Sequence, residues 1–211
     1  MPPYAPAPES EQRAFADLDP KVPNPDFPKL DTARVKKLTR EYLASVAAVD
    51  RNVGRLLDEL DRLKLADNTL VIFTSDHGYN IGHHGILHKG NAAWILTENP
   101  PGTKNVPAQH RPNMFDTSLR VPCVIRWPKS IPAGRVINRT VTHLDWFPTL
   151  LEATGVALPD GTTLRGQSVL NLLRGAGSFD RSDDLYSEFS VQHTMRADMR
   201  CYRTSEWKLK R

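Results

Sequence analysis

The apolar run Val71-Ile72-Phe73-Thr74 is followed at once by Ser75-Asp76-His77-Gly78. Four β-branched or aromatic residues in succession read as a buried strand. In open α/β sheets ligands bind beyond the carboxyl ends of such strands, which is where Asp76 and His77 fall. Both can ligate a divalent cation, the carboxylate through oxygen and the imidazole through a ring nitrogen. Taken alone, an aspartate in this position is more often the cap of a following helix than a ligand. Gly78 lets the backbone turn sharply or approach a ligand closely.

A second group follows in Gly82-His83-His84-Gly85-Ile86-Leu87-His88-Lys89. Lys89 offers a compact positive charge suited to an anionic group. His77, His83, His84 and His88 do not form the helical pair flanking a glutamate that zinc hydrolases use, and the glycines oppose a helix there. A zinc site is therefore not expected there.

The elements that must hold these residues are legible on either side. Asp31 or Thr32 can cap a long helix whose apolar stripe runs from Val35 through Leu38, Tyr42, Val46, Val49, Val53, Leu56 and Leu60 to Leu63. The helix is expected to stop near Asp67-Asn68, before the strand Leu70–Thr74. Helix, short turn and buried strand are half of a parallel crossover, whose partner strand would have to precede residue 1. Residues 78–113 read as a long functional loop. Strands are expected at Cys123–Trp127 and Val136–Val141, a helix from about Asp145 to Ala153 stopped by Gly155, and a short helix around Val169–Leu173. Leu185–Val191 and Met199–Leu209 read as antiparallel strands. Eight prolines in residues 1–30 predict an extended, non-helical segment.

Several of these stretches together resemble the sulfatase family of the alkaline phosphatase superfamily. They are Ser75-Asp76-His77-Gly78, the Gly82-His83-His84-Gly85 turn, Lys89 twelve residues after His77, and Ser118-Leu119-Arg120-Val121-Pro122. Asp145-Trp146-Phe147-Pro148-Thr149-Leu150-Leu151 and Gly166-Gln167-Ser168-Val169-Leu170 extend the likeness, as does the hairpin-like Tyr202-Arg203-Thr204 with Trp207-Lys208-Leu209. It covers roughly 170 residues, far beyond a short motif match.

The resemblance implies an α/β, alkaline-phosphatase-like parallel or mixed sheet with flanking helices, incomplete here, plus the start of a C-terminal antiparallel subdomain. The expected divisions are a Pro-rich segment at 1–30, the second half of the α/β domain at 31–177 and the C-terminal subdomain at 178–211. It further implies hydrolysis of sulfate esters, with Asp76 and His77 as metal ligands and Lys89 and His84 as catalytic residues. Calcium is the implied cation, with magnesium or manganese able to substitute. An insertion between Lys89 and Arg120 makes Arg111 the alternative sulfate-contacting cation. The family's nucleophile is a formylglycine made from the cysteine of a Cys-x-Pro-x-Arg motif. Neither Cys123 nor Cys201 has proline two residues on and arginine four on, so that group is expected only in a missing N-terminal half. The chain is thus read as the C-terminal half of a sulfatase, inactive alone. The alternatives are a phosphodiesterase or phosphonate hydrolase of the same superfamily, or a non-catalytic truncated remnant. The expected partner of the full-length parent is a sulfated small molecule or glycan.

Composition agrees with a globular enzyme part. The 211 residues are 39% apolar and 25% charged, and 28 basic against 24 acidic residues leave a net charge of only +4. That small, dispersed excess reads as a solvated surface and not as a nucleic-acid site. No apolar run approaches the ~20 residues of a membrane helix. Prolines follow Met1, so no secretory signal is read there; export of the parent to the periplasm or the medium rests on the resemblance alone. Two cysteines far apart form no disulfide framework.

Overall fold

A computed structural model of the chain describes residues 7–27, 29–89, 114–177, 179–192 and 196–210. Helix α1 (Glu9–Ala14) is followed by the long helix α2 (Thr32–Arg62), a 3-10 turn at Ala66–Asn68 and strand β1 (Val71–Thr74). Next come the short helix α3 (Asp116–Leu119), strand β2 (Cys123–Arg126), a 3-10 turn at His143–Asp145 and helix α4 (Trp146–Thr154). Helix α5 (Leu170–Arg174) precedes strands β3 (Leu185–Gln192), β4 (Arg196–Arg203) and β5 (Lys208–Lys210).

Local signals account for most boundaries. The Asp31 carboxylate accepts the Arg34 N–H at 2.9 Å and caps α2. Gly155, at φ 70°, ends α4 in the left-handed conformation that suits glycine. β1 and β2 pair antiparallel with Phe73 opposite Val124. β3, β4 and β5 form a second antiparallel sheet, in that order, aligning Tyr186, Tyr202 and Leu209. On that sheet's inner side Met199 and Cys201 pack with Met114 and Leu119. Among the described residues no parallel pair occurs, so the expected crossover is represented only by α2 and β1.

Three expectations need correction. The proline-rich start is not extended throughout, because α1 forms between Pro8 and Pro20. Pro8 stands just before the first helical turn, where its missing N–H costs nothing. α1 then docks on α2 through the Glu11–Arg51 ion pair, with Asp19 and Lys36 joined at 2.6 Å. Residues 136–141 form no strand. There the Thr140 N–H goes to the Asp183 carboxylate (2.5 Å) and the Thr140 carbonyl to Arg181 (2.7 Å), so side chains replace the ladder. Met199–Leu209 is divided in two. Thr204 Oγ1 accepts the N–H groups of Glu206 (3.2 Å) and Trp207 (3.0 Å), turning the chain between β4 and β5.

Candidate functional site

β1 delivers Asp76 and His77 into a tight bend. The Ser75 hydroxyl donates to the His77 carbonyl (2.8 Å), and the His77 N–H donates to Asp76 Oδ1 (3.0 Å). The Gly78 N–H donates to the Ser118 carbonyl (2.8 Å) in α3. A methyl group at Gly78 would lie 2.0 Å from the Thr117 carbonyl oxygen, so only a hydrogen fits there. A third segment reaches the bend through His143, whose Nε2 lies 2.8 Å from the Ser75 carbonyl.

The two candidate ligands face each other. His77 Nδ1 lies 2.9 Å from the Gly78 carbonyl. A carbonyl only accepts, so Nδ1 carries a hydrogen, and it is Nε2 whose lone pair is available to a cation when the ring has lost its second proton. That Nε2 is 3.5 Å from Asp76 Oδ2, and the Asp76 side chain is 84% exposed. Metal-ligating histidines commonly tie their other N–H to a carbonyl in this way. Slight burial works against ionisation of Asp76. The charge of the His77 ring when protonated, the His77 and Asp76 N–H groups and the Ser75 hydroxyl outweigh it and hold the carboxyl below its usual range. One carboxylate oxygen and one imidazole nitrogen on an open edge fit a divalent cation in kind, although such cations take about six or more donors. Among the described residues no group of three or more His, Cys, Asp or Glu side chains gathers.

The following loop is pegged by Asn80, which is fully buried. Its amide donates to the His88 carbonyl (3.0 Å) and to Ser118 Oγ (3.1 Å), and its oxygen accepts the Thr117 hydroxyl. His84 adopts φ 56°, its N–H donates to Asn24 Oδ1 (2.9 Å), and its ring stacks on Phe115 with centroids 3.8 Å apart. Burial of His88 holds its imidazole below the usual value. Lys89 is exposed, and among the described residues no ion pair joins it to Asp76 or His77. The structure thus brings Asp76 and His77 together, puts His84 against Phe115, and leaves Lys89 in solvent. Arg111 lies outside the described residues. Cys123 is exposed, Cys201 is buried, and both are free thiols.

Asp145, expected to open a helix, acts from inside the first turn. Its Oδ2 accepts the Thr142 N–H at 2.7 Å, closing a capping box, while Oδ1 accepts the Gln167 N–H at 3.0 Å. Arg181 completes the arrangement with a fork to both oxygens, at 2.7 and 3.0 Å. Sequence reasoning missed Asn80, His143 and Arg181. Asn80 carries a weak signal, an amide between a strand end and a glycine turn. The other two act across long stretches of chain and leave none.

A family model described as Sulfatase matches residues 1–156, and one described as N-sulphoglucosamine sulphohydrolase, C-terminal, matches residues 110–211. The chain belongs to the sulfatase family. It is 36% identical over 140 residues to steryl-sulfatase of Mus musculus, covering 66% of this chain and 21% of that protein. It is 32% identical over 144 residues to the N-acetylglucosamine-6-O-sulfatase of Bacteroides thetaiotaomicron, covering 68% of this chain and 22% of that protein. Two solved structures are similar. One is a complex with its substrate D-glucosamine-2-N,6-O-disulfate (TM-score 0.68, 28% identity, 95% of this chain and 35% of that one). The other is the phosphonate monoester hydrolase of Agrobacterium radiobacter (TM-score 0.70, 26% identity, 87% of this chain and 34% of that one). The architecture is the alkaline-phosphatase-like α/β fold of these structures, and the chain spans 21% and 22% of the two curated relatives.

Proposed function

We propose that this chain is the part of a sulfuric ester hydrolase that carries two ligands of the active-site metal. The observation that carries the reading is the Asp76 carboxylate facing His77 Nε2 at the end of β1, within the segment matched by the sulfatase model. Asp76 and His77 would hold calcium, or magnesium or manganese in its place. The imidazole nitrogen suits manganese better than calcium, which prefers oxygen donors throughout. When bound, the cation supplies charge that holds and polarises the sulfate oxygens.

This chain's own residues then have distinct tasks. Asp76 stays ionised at neutral pH, as its lowered pKa requires of a ligand. His77 is kept in one tautomer by the Gly78 carbonyl. Lys89 would supply a point charge to the sulfate and its departing oxygen, with Arg111 as the alternative cation. His84 is assigned to the same catalytic loop; its stacking on Phe115 supports orientation by packing. The nucleophilic formylglycine and the remaining oxygen ligands would come from a portion of the protein outside these 211 residues, since neither cysteine has the required Pro and Arg spacing. A sulfated sugar is the proposed substrate class. Supporting it are the disulfated glucosamine in a 28% identical structure and the N-acetylglucosamine-6-O-sulfatase relative.

Calorimetric titration of the chain with manganese and calcium, beside an assay with an aryl sulfate, tests the reading. Weak metal binding that falls at least about tenfold in Asp76→Asn, the scale of a lost ligand support, with no sulfate ester turnover, is the expected result. Unchanged binding in Asp76→Asn removes the metal reading, and robust metal-dependent turnover by these residues alone removes the assignment of the nucleophile elsewhere. A second reading, hydrolysis of phosphonate or phosphate diesters, draws on the Agrobacterium radiobacter hydrolase structure. Faster turnover of a phosphonate monoester than of a sulfate by a longer polypeptide containing this chain would favour it.

A further inference from the structure

The bend that presents Asp76 and His77 is fastened from two sides, and the fastening through Ser75 comes from the His143 side chain. The Ser75 carbonyl accepts from His143 Nε2 at 2.8 Å, across 68 residues of sequence. Because the acceptor is a carbonyl, Nε2 must carry the hydrogen. Ser75 in turn braces both candidate ligands: its hydroxyl donates to the His77 carbonyl and lies 3.4 Å from Asp76 Oδ1. Any movement of the Ser75 peptide is therefore transmitted to the carboxylate and the ring.

His143 is itself held by a rigid base. It lies inside the capping box that joins Thr142 to Asp145. Asp145 is fully buried and accepts from Thr142, Gln167 and the Arg181 fork. Gly166 presses on the same turn, where an added methyl would lie 2.0 Å from the Leu144 carbonyl oxygen. The His143 side chain is exposed, but its backbone is pinned by a buried ion pair and a capping box, so the ring is offered to Ser75 from a fixed anchor and not from a free loop.

We propose that His143 is a positioning residue for the metal-ligand bend: its Nε2–H sets the Ser75 carbonyl and, through Ser75, the separation of Asp76 from His77. This rests on the reading of Asp76 and His77 as ligands, and it assigns the start of helix α4 a task in the site besides packing.

The test compares wild type, His143→Ala and His143→Gln, whose amide N–H can still reach a carbonyl. Amide hydrogen exchange is read at His77 and Gly78, with Ile72 and Phe73 of β1 as internal controls, and manganese affinity is read by calorimetry. In His143→Ala, exchange at His77 and Gly78 should speed up roughly three- to tenfold, the effect of one lost hydrogen bond, with β1 unchanged. Manganese should bind about tenfold more weakly, as when an outer support of a ligand is lost. His143→Gln should restore most of both. A purely structural role would move β1 along with the bend and would not be rescued by glutamine. Wild-type exchange in His143→Ala, equal loss in His143→Gln, or an unprotected bend already in the wild type overturns the proposal. Should Asp76→Asn and His77→Ala leave manganese binding unchanged, the metal reading fails by itself, and the exchange data still decide whether His143 holds the bend.

Discussion

Asp145 is the residue where burial and charge collide most directly, since it exposes no surface yet remains a carboxylate. Burial alone would raise its pKa. The hydrogen bonds from Arg181, from the Thr142 and Gln167 N–H groups, and the Arg181 charge more than offset this, and hold it below the ordinary 3.8. A carboxylate depressed in the folded state stabilises fully above its unfolded value, and that contribution is lost as pH falls through the lower folded value. The start of α4 should therefore loosen below about pH 4, seen as faster exchange at the Thr142 and Gln167 amides. Asp145→Ala leaves Arg181 charged and only 19% exposed; removing one partner of such a buried pair costs ~3–5 kcal/mol. A urea midpoint unchanged by Asp145→Ala, or amides indifferent to acid, would contradict this. The sequence marked Asp145 as a helix-start residue because the helix follows it directly. It gave no hint of Arg181, whose fork depends on how the segment before β3 returns to the turn.

At the scale of elements, the bend after β1 depends on a contact that only glycine permits. Gly78→Ala would drive a methyl into the backbone of α3, where the Thr117 carbonyl cannot yield as a flexible side chain would. Overpacking of this kind costs roughly 1–3 kcal/mol. It should also break the Gly78–Ser118 hydrogen bond and weaken manganese binding, because His77 Nδ1 takes its orientation from the Gly78 carbonyl. A Gly78→Ala chain with wild-type melting and metal affinity would show that α3 does not hold the bend. Legibility divides along the same line. β1, α2 and α4 were readable because their caps and stops are local: Asp31, the apolar run and Gly155. The Asp76–His77 pair was readable because its members are adjacent. The apolar pattern at 136–141 does not yield a strand because Asp183 and Arg181, about forty residues away, take hydrogen bonds that a neighbouring strand would have taken. Helix α1 forms because the interval from Glu9 to Asp19 holds no proline, whatever the number of prolines on either side.

At the scale of the whole molecule, the apolar pattern exceeds what the described structure covers. Of the apolar stripe on α2 only Val35 is buried, while Val49 and Leu56 are 48% and 67% exposed. Phe73 and Val124 face each other across β1 and β2 and are 42% and 63% exposed. Two strands alone are marginal in water and leave both outer edges unpaired. Large apolar side chains exposed side by side, as on α2 and on β1 and β2, mark surfaces made to be covered. The chain on its own should therefore bind a hydrophobic dye such as ANS strongly at neutral pH. Leu56→Lys and Val124→Lys should each reduce the dye signal and raise solubility, with far-UV circular dichroism unchanged, because neither side chain has a packed neighbourhood to lose. If the chain instead binds no dye and sediments as a monomer with a sharp, reversible melt, the apolar stripe of α2 and the face of β1 and β2 are tolerated in water, and no covering surface is needed to account for them.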